Sequence, residues 1–119
     1  MSMNEKEALK DKIKLVVQKM TKGDIANLLQ FYFETIETPN MIVISRGNDF
    51  IEGFMKVAKV TFKYEIFYWT KDYGIELRLK LKHGRSVIEK RIQVEFKEQE
   101  NEIMIYQTND KMYLFSVYF

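Results

Sequence analysis

From Asn4 to Met20, apolar side chains recur at Leu9, Ile13, Val16, Val17 and Met20, the spacing of a helix with one buried stripe. Thr21-Lys22-Gly23-Asp24 interrupts that pattern. Gly23 suits a left-handed stop, and Asp24 suits the cap of a following helix. Ile25, Leu28, Leu29 and Tyr32 then mark one face of a second, shorter helix. Pro39 bars its continuation, because the residue before proline disfavours helical backbone. Met41 to Ser45 reads as a short strand, and Arg46-Gly47-Asn48 as a turn. Asp49, with Glu52 three residues on, forms a candidate capping box for a third helix. That helix would carry Phe50, Phe54, Val57 and Ala58 on one side. After Lys59 the period changes to two, the signature of strands.

The alternating half aligns into hairpins by side-chain agreement. A first turn at Tyr73-Gly74 sets Lys71 against Glu76, Trp69 against Arg78, Tyr68 against Leu79, Glu65 against Lys82 and Tyr64 against His83. A second at Gly84-Arg85 sets Leu81 against Ile88, Leu79 against Lys90, Leu77 against Ile92 and Ile75 against Val94. A third connection at Glu98 to Asn101 sets Lys97 against Glu102, Phe96 against Ile103 and Ile92 against Gln107. The result is a four-stranded antiparallel meander. The last segment, Met112 to Phe119, also alternates, and reads either as an extra edge strand or as a strand lent to a neighbour.

Composition narrows the chemistry. The 119 residues are 46% hydrophobic, 14% aromatic and 30% charged, which fits one globular domain over residues 1–119. No apolar run exceeds four residues, as at Met41 to Ile44 and Ile66 to Trp69, so neither a membrane span nor a signal-peptide core is expected. The absence of cysteine excludes disulfides, thiol catalysis and cysteine-based zinc sites. One histidine leaves no His-rich metal site, and neither a metal nor a cofactor is expected. Nineteen basic residues against seventeen acidic ones argue against a nucleic-acid partner, the lack of a spanning run argues against a membrane partner, and a cytoplasmic protein is the default. The densest basic stretch, Arg78 to Arg91, reads as the solvated face of two strands.

Three stretches carry a family likeness. They are the helix junction Lys22-Gly23-Asp24-Ile25 with Leu28 and Phe31-Tyr32, the segment Arg46-Gly47-Asn48-Asp49-Phe50-Ile51 with Phe54, and the late strand Glu102-Ile103-Met104-Ile105-Tyr106. In that order they resemble the nuclear transport factor 2-like superfamily, with its ketosteroid isomerase-like and polyketide cyclase-like (SnoaL-like) members. The resemblance implies an α+β cystatin-like cone: three N-terminal helices packed in a strongly curved antiparallel sheet, an apolar pocket inside, and commonly a homodimer. Fold alone does not imply function. The isomerase catalytic positions fall at Val16, at Thr38 or Asn40, and at Ile92 or Val94, none of which performs that proton transfer. An Asp–His pair of the dehydratase kind is no better matched by His83.

If the apolar face lines such a cone, its polar members are Tyr64, Tyr68, His83, Lys90 and Gln107, with Tyr32 from the second helix. A few polar groups in an apolar cavity suit a small apolar or anionic ligand. Lys90 lies between Ile88 and Ile92, so period two turns a charge inward unless it snorkels to the rim or a bulge flips it out. Tyr64 and Tyr68 read equally as core tyrosines with a wet tip, and His83 as a partly exposed residue beside a turn. The opposite face holds Phe67, Trp69, Met104 and Tyr106 among charges, a candidate dimer interface. Two functions stand: binding of a small apolar ligand in the cone, with any enzymatic role limited to acid–base isomerase, cyclase or dehydratase chemistry, or a non-catalytic homodimerisation or protein-interaction module.

Overall fold

The computed structural model describes residues 3–35, 37–72 and 74–119. Two helices, α1 (Met3–Lys19) and α2 (Lys22–Phe33), precede seven strands: β1 (Asn40–Arg46), β2 (Phe50–Val57), β3 (Val60–Lys71), β4 (Gly74–His83), β5 (Ser86–Gln99), β6 (Glu102–Gln107) and β7 (Tyr113–Tyr118). The strands form one antiparallel sheet in the order β1-β2-β3-β4-β5-β6-β7, strongly curled, with the helices on its concave side. The α+β class expected from the sequence holds, with two helices rather than three.

The helix junction is built differently from the expectation. Thr21 is the cap of α2: its Oγ1 accepts the Asp24 N–H at 3.0 Å, and the Asp24 carboxylate accepts the Thr21 N–H at 2.9 Å. This reciprocal capping box places Gly23 inside the helix rather than at a left-handed stop. The left-handed residue is Glu34, which closes α2 at φ 54.

The expected third helix is β2. Ile51, Gly53 and Met55 are buried while Phe54 and Lys56 are exposed, a two-residue alternation. Phe50, Phe54 and Val57 also fit a helical spacing, so the pattern alone was ambiguous. Gly53 disfavours a helix interior, and pairing to both β1 and β3 supplies a strand with two ladders. Asp49 caps nothing; its carbonyl accepts the Tyr68 N–H at 2.8 Å. The element order behind the family resemblance thus differs at this position.

In the meander, the second hairpin has the expected register, with Leu81 opposite Ile88, Leu79 opposite Lys90 and Ile75 opposite Val94. The first and third are each two residues tighter. Lys71 pairs with Gly74, Trp69 with Glu76 and Tyr68 with Leu77, and Asp72 takes a left-handed φ of 43 beside the turn. Tyr73, read above as a turn position, lies outside the described residues. In the third hairpin Gln99 pairs with Glu102, Phe96 with Ile105 and Val94 with Gln107. A two-residue shift leaves every side chain on its original face. The ion pairs survive as diagonals: Lys82 reaches Glu65 at 2.8 Å, and the Arg78 guanidinium lies 4.8 Å from the Trp69 ring centroid. The C-terminal segment is an edge strand, β7, pairing Val117 with Ile103 and Phe115 with Ile105 of its own chain.

One core fills the concave side. Ile13, Val16, Val17 and Met20 of α1, with Ile25 and Leu29 of α2, pack on Ile51, Tyr64, Ile66, Leu77, Leu79, Ile103 and Ile105, all at most 2% exposed. The sheet is longer than the helices that cover it. β6 pairing begins at Val94 and Thr108 bonds to Gln93, so among the described residues the first half of β5, Ser86 to Ile92, pairs only with β4. The molecule is accordingly elongated, 46 × 28 × 28 Å.

Candidate functional site

The six expected pocket residues divide into three groups. Tyr32 and Gln107 meet: the Tyr32 hydroxyl donates to Gln107 Oε1 at 2.7 Å, and Gln107 Nε2 donates to Asp110 Oδ1 at 3.2 Å. Tyr64 and Tyr68 lie in the core at 0% and 1% exposure. The Tyr68 hydroxyl contacts the Met20 sulfur at 3.1 Å, whereas the Tyr64 hydroxyl is buried with no hydrogen-bond partner. His83 and Lys90 are exposed on the bare length of the β4–β5 hairpin, with His83 Nδ1 3.3 Å from the Thr61 carbonyl oxygen.

Two details of the expected arrangement are therefore corrected. Tyr64 stands opposite Leu81 rather than His83, and Tyr68 aligns with Leu77 and Ile92 rather than with Leu79 and Lys90. Lys90 does share the face of the buried Leu79, but on the stretch of β5 that has no β6 beside it, so it is exposed instead of buried. Periodicity reports a face; it does not report what lies over it.

The buried tyrosines do not titrate near neutrality. Burial pushes Tyr64 up to about 12 against the favourable charge of Arg46, and burial with the nearby Asp110 carboxylate pushes Tyr32 up to about 12. Burial also raises Tyr68 above the ordinary tyrosine range. All three hydroxyls stay protonated at neutral pH, and those of Tyr32 and Tyr68 donate hydrogen bonds. Among the described residues, no three His, Asp or Glu side chains gather as a metal site.

On the convex face the four expected interface residues form two separate clusters. Phe67 stacks on Phe50 at 5.6 Å, and Trp69 beside it carries Arg78. Met104 and Tyr106 lie on β6, about 14 Å away by strand spacing, beyond the charged outer faces of β4 and β5. That intervening band holds Glu76, only 4% exposed, which accepts from Arg78 at 2.6 Å and Gln93 at 3.3 Å and lies 3.7 Å from Lys71. The Arg78 hydrogen bond holds the Glu76 carboxyl below the usual carboxylate range, more than burial raises it.

The second cluster grows at the sheet edge. Tyr106 meets Tyr113 edge to face at 5.6 Å, and the Tyr106 hydroxyl donates to the Met104 sulfur at 3.6 Å. The Tyr113 and Ser116 hydroxyl oxygens are 2.7 Å apart. Beyond them Tyr113, Tyr118 and Phe119 are half or more exposed. A groove of about 220 Å³ separates β7 from α2, lined by Leu28, Phe31, Tyr113 and Leu114, with Phe31 55% exposed. The sequence reading makes the β7 segment an edge strand or a strand lent to a neighbour and does not count its aromatics among the interface residues. Their lack of any charge over seven residues, Tyr113 to Phe119, was the available signal.

Comparison with protein families, with curated proteins and with solved structures found no match to this chain.

A larger cleft, about 530 Å³, opens between α1 and the end of β3, where Lys10, Lys14, Asp49, Tyr68 and Trp69 contribute. Its β1–β2 wall is tied to α1 twice: Arg46 donates to the Val17 carbonyl at 2.6 Å and Gln18 to the Gly47 carbonyl at 3.0 Å. Here one expected pocket residue and one expected interface residue meet. Its lysines and aspartates balance in charge and single out no ligand class.

Proposed function

We propose that the chain is a non-catalytic interaction module that pairs with a second copy of itself along β7. The observation that carries this reading is the edge itself: a strand without charge or proline, flanked by exposed Tyr113, Tyr118 and Phe119. The Phe119 N–H donates to the Asn101 carbonyl at 3.1 Å, so ladder alternation turns the backbone groups of Ser116 and Tyr118 to the open side. Two copies of an uncharged strand meet antiparallel about a two-fold axis with no like charges opposed, and each covers the other's edge. Met104 and Tyr106 extend the contact on the convex face. What favours this over a ligand held inside the cone is that side chains of α1 and α2 occupy the concave side.

The test is mass by light scattering at micromolar concentration, with Tyr118→Lys and Trp69→Glu compared with the parent. A dimeric parent, a monomeric Tyr118→Lys and a dimeric Trp69→Glu are expected. Both positions are exposed, so each variant keeps the fold. A monomeric parent overturns the reading. A dimer broken only by Trp69→Glu moves the contact to the Phe67–Trp69 cluster and overturns the β7 assignment.

A further inference from the structure

The hairpin tips at the bare end of the sheet combine two features the rest of the surface keeps apart. The β2–β3 and β4–β5 tips finish level: Lys63 pairs with Lys82, and the same register brings Thr61 alongside Gly84. Residues 54–63 and 80–90 hold Lys56, Lys59, Lys63, Lys80, Lys82, Arg85 and Lys90 against one acid, Glu89, and Glu65 next to them lies 2.8 Å from Lys82 and 3.8 Å from Lys63. Glu89 is bound by Arg91 at 2.9 Å. With nineteen basic and seventeen acidic residues in all, the remainder of the chain is net acidic. The near-neutral total therefore conceals a strongly basic end.

That end is also apolar. Val60, Phe54, Val87 and Ile88 are 38%, 42%, 56% and 52% exposed. Val87 and Ile88 are neighbours on one strand and point to opposite faces, so their common accessible direction is end-on, past Gly84 and Arg85. Gly84 sits at φ 58 with open space around it.

We propose that this end docks on an anionic phospholipid surface, the cations meeting headgroup charges while Val60, Val87 and Ile88 enter the boundary with the acyl chains. The pairing of basic and aliphatic side chains is the chemistry of interfacial membrane binding. A nucleic-acid strand fits less well, since base stacking needs aromatic rings and the outermost apolar side chains, Val60, Val87 and Ile88, are aliphatic, with Phe54 further back along β2. The expectation of no membrane partner came from the lack of a spanning run, which does not bear on a surface contact, and the near-neutral net charge averages the two ends. The proposal uses residues separate from β7 and stands for one copy or two.

Co-sedimentation with phosphatidylcholine vesicles, with and without roughly one-third phosphatidylserine, tests it. Binding only to the anionic vesicles, lost at high salt, is the expected result. Val87→Ser with Ile88→Ser, at unchanged charge, weakens binding about tenfold or more. Arg85→Gln with Lys90→Gln abolishes it. Absence of binding to the anionic vesicles overturns the proposal. So does unaltered binding by the Val87→Ser/Ile88→Ser variant together with equal retention on a single-stranded oligonucleotide, which identifies a general polyanion surface.

Discussion

Leu79 and Ile88 lie on the same side of the sheet, on adjacent strands, two residues apart in register, yet Leu79 is fully buried and Ile88 is 52% exposed. The strands around both have the same composition and alternate in the same way. The difference follows the strands: Leu79 and Leu81 lie on β4, between β3 and β5, and are buried, while their cross-strand partners Lys90 and Ile88 lie on the stretch of β5 that has no β6 beside it and are exposed. One level of the sheet is therefore core on β4 and surface on β5, although the two strands alternate alike. A strand's pattern specifies two faces, and a distant element decides which stretch of a face becomes interior.

The largest effect should come from comparing those two positions directly. Leu79→Ala is expected to lower unfolding free energy by about 3 kcal/mol, through lost burial and a residual cavity. Ile88→Ala should change it by less than about 0.5 kcal/mol, since an exposed side chain leaves no cavity. Urea midpoints measure both, and equal losses would show that the bare end is covered in solution.

Tyr64→Phe sharpens the picture at the buried end. Its hydroxyl is orphaned, so removing it should raise stability by about 1 kcal/mol, the cost of an unsatisfied buried polar group. A loss of stability in thermal unfolding would reveal a partner for that hydroxyl.

The smallest effect concerns the convex face over the covered length. The Glu76 carboxyl lies below its ordinary 4.5 because Arg78 binds the charged form. A depressed folded value means the stabilisation is present above the ordinary value and is lost as pH falls through the folded one. Glu76→Gln should therefore flatten the acid limb of the stability–pH curve and leave its neutral slope unchanged, as followed by denaturant titrations across the acid range.

These contrasts explain what the sequence made legible. The α1 stripe of Ile13, Val16, Val17 and Met20 was readable because one buried face suffices for a helix that packs on a sheet. The Gly84 turn set its register correctly because the apolar rows Leu81–Ile88 and Leu77–Ile92 agree with the turn geometry. The hairpins either side slipped by two because side-chain pattern fixes only the parity of a register, and turn length decides the rest. β2 was misread because Phe50, Phe54, Ile51 and Met55 satisfy both periods, and the deciding term was pairing to two neighbours. Lys90 and Tyr118 share one lesson: their solvation depends on where the covering elements end.

The strand order has a consequence for synthesis. Every strand pairs with its immediate neighbours in the chain, so no pairing waits for a distant segment. As the polypeptide leaves the ribosome, α1 and α2 emerge first, and the sheet then grows by one strand at a time against a scaffold already present. Of the seven strands β7 emerges after the other six, so until it does Ile103 and Ile105 lack the cover of Phe115 and Val117, and β6 is the nascent sheet's open margin.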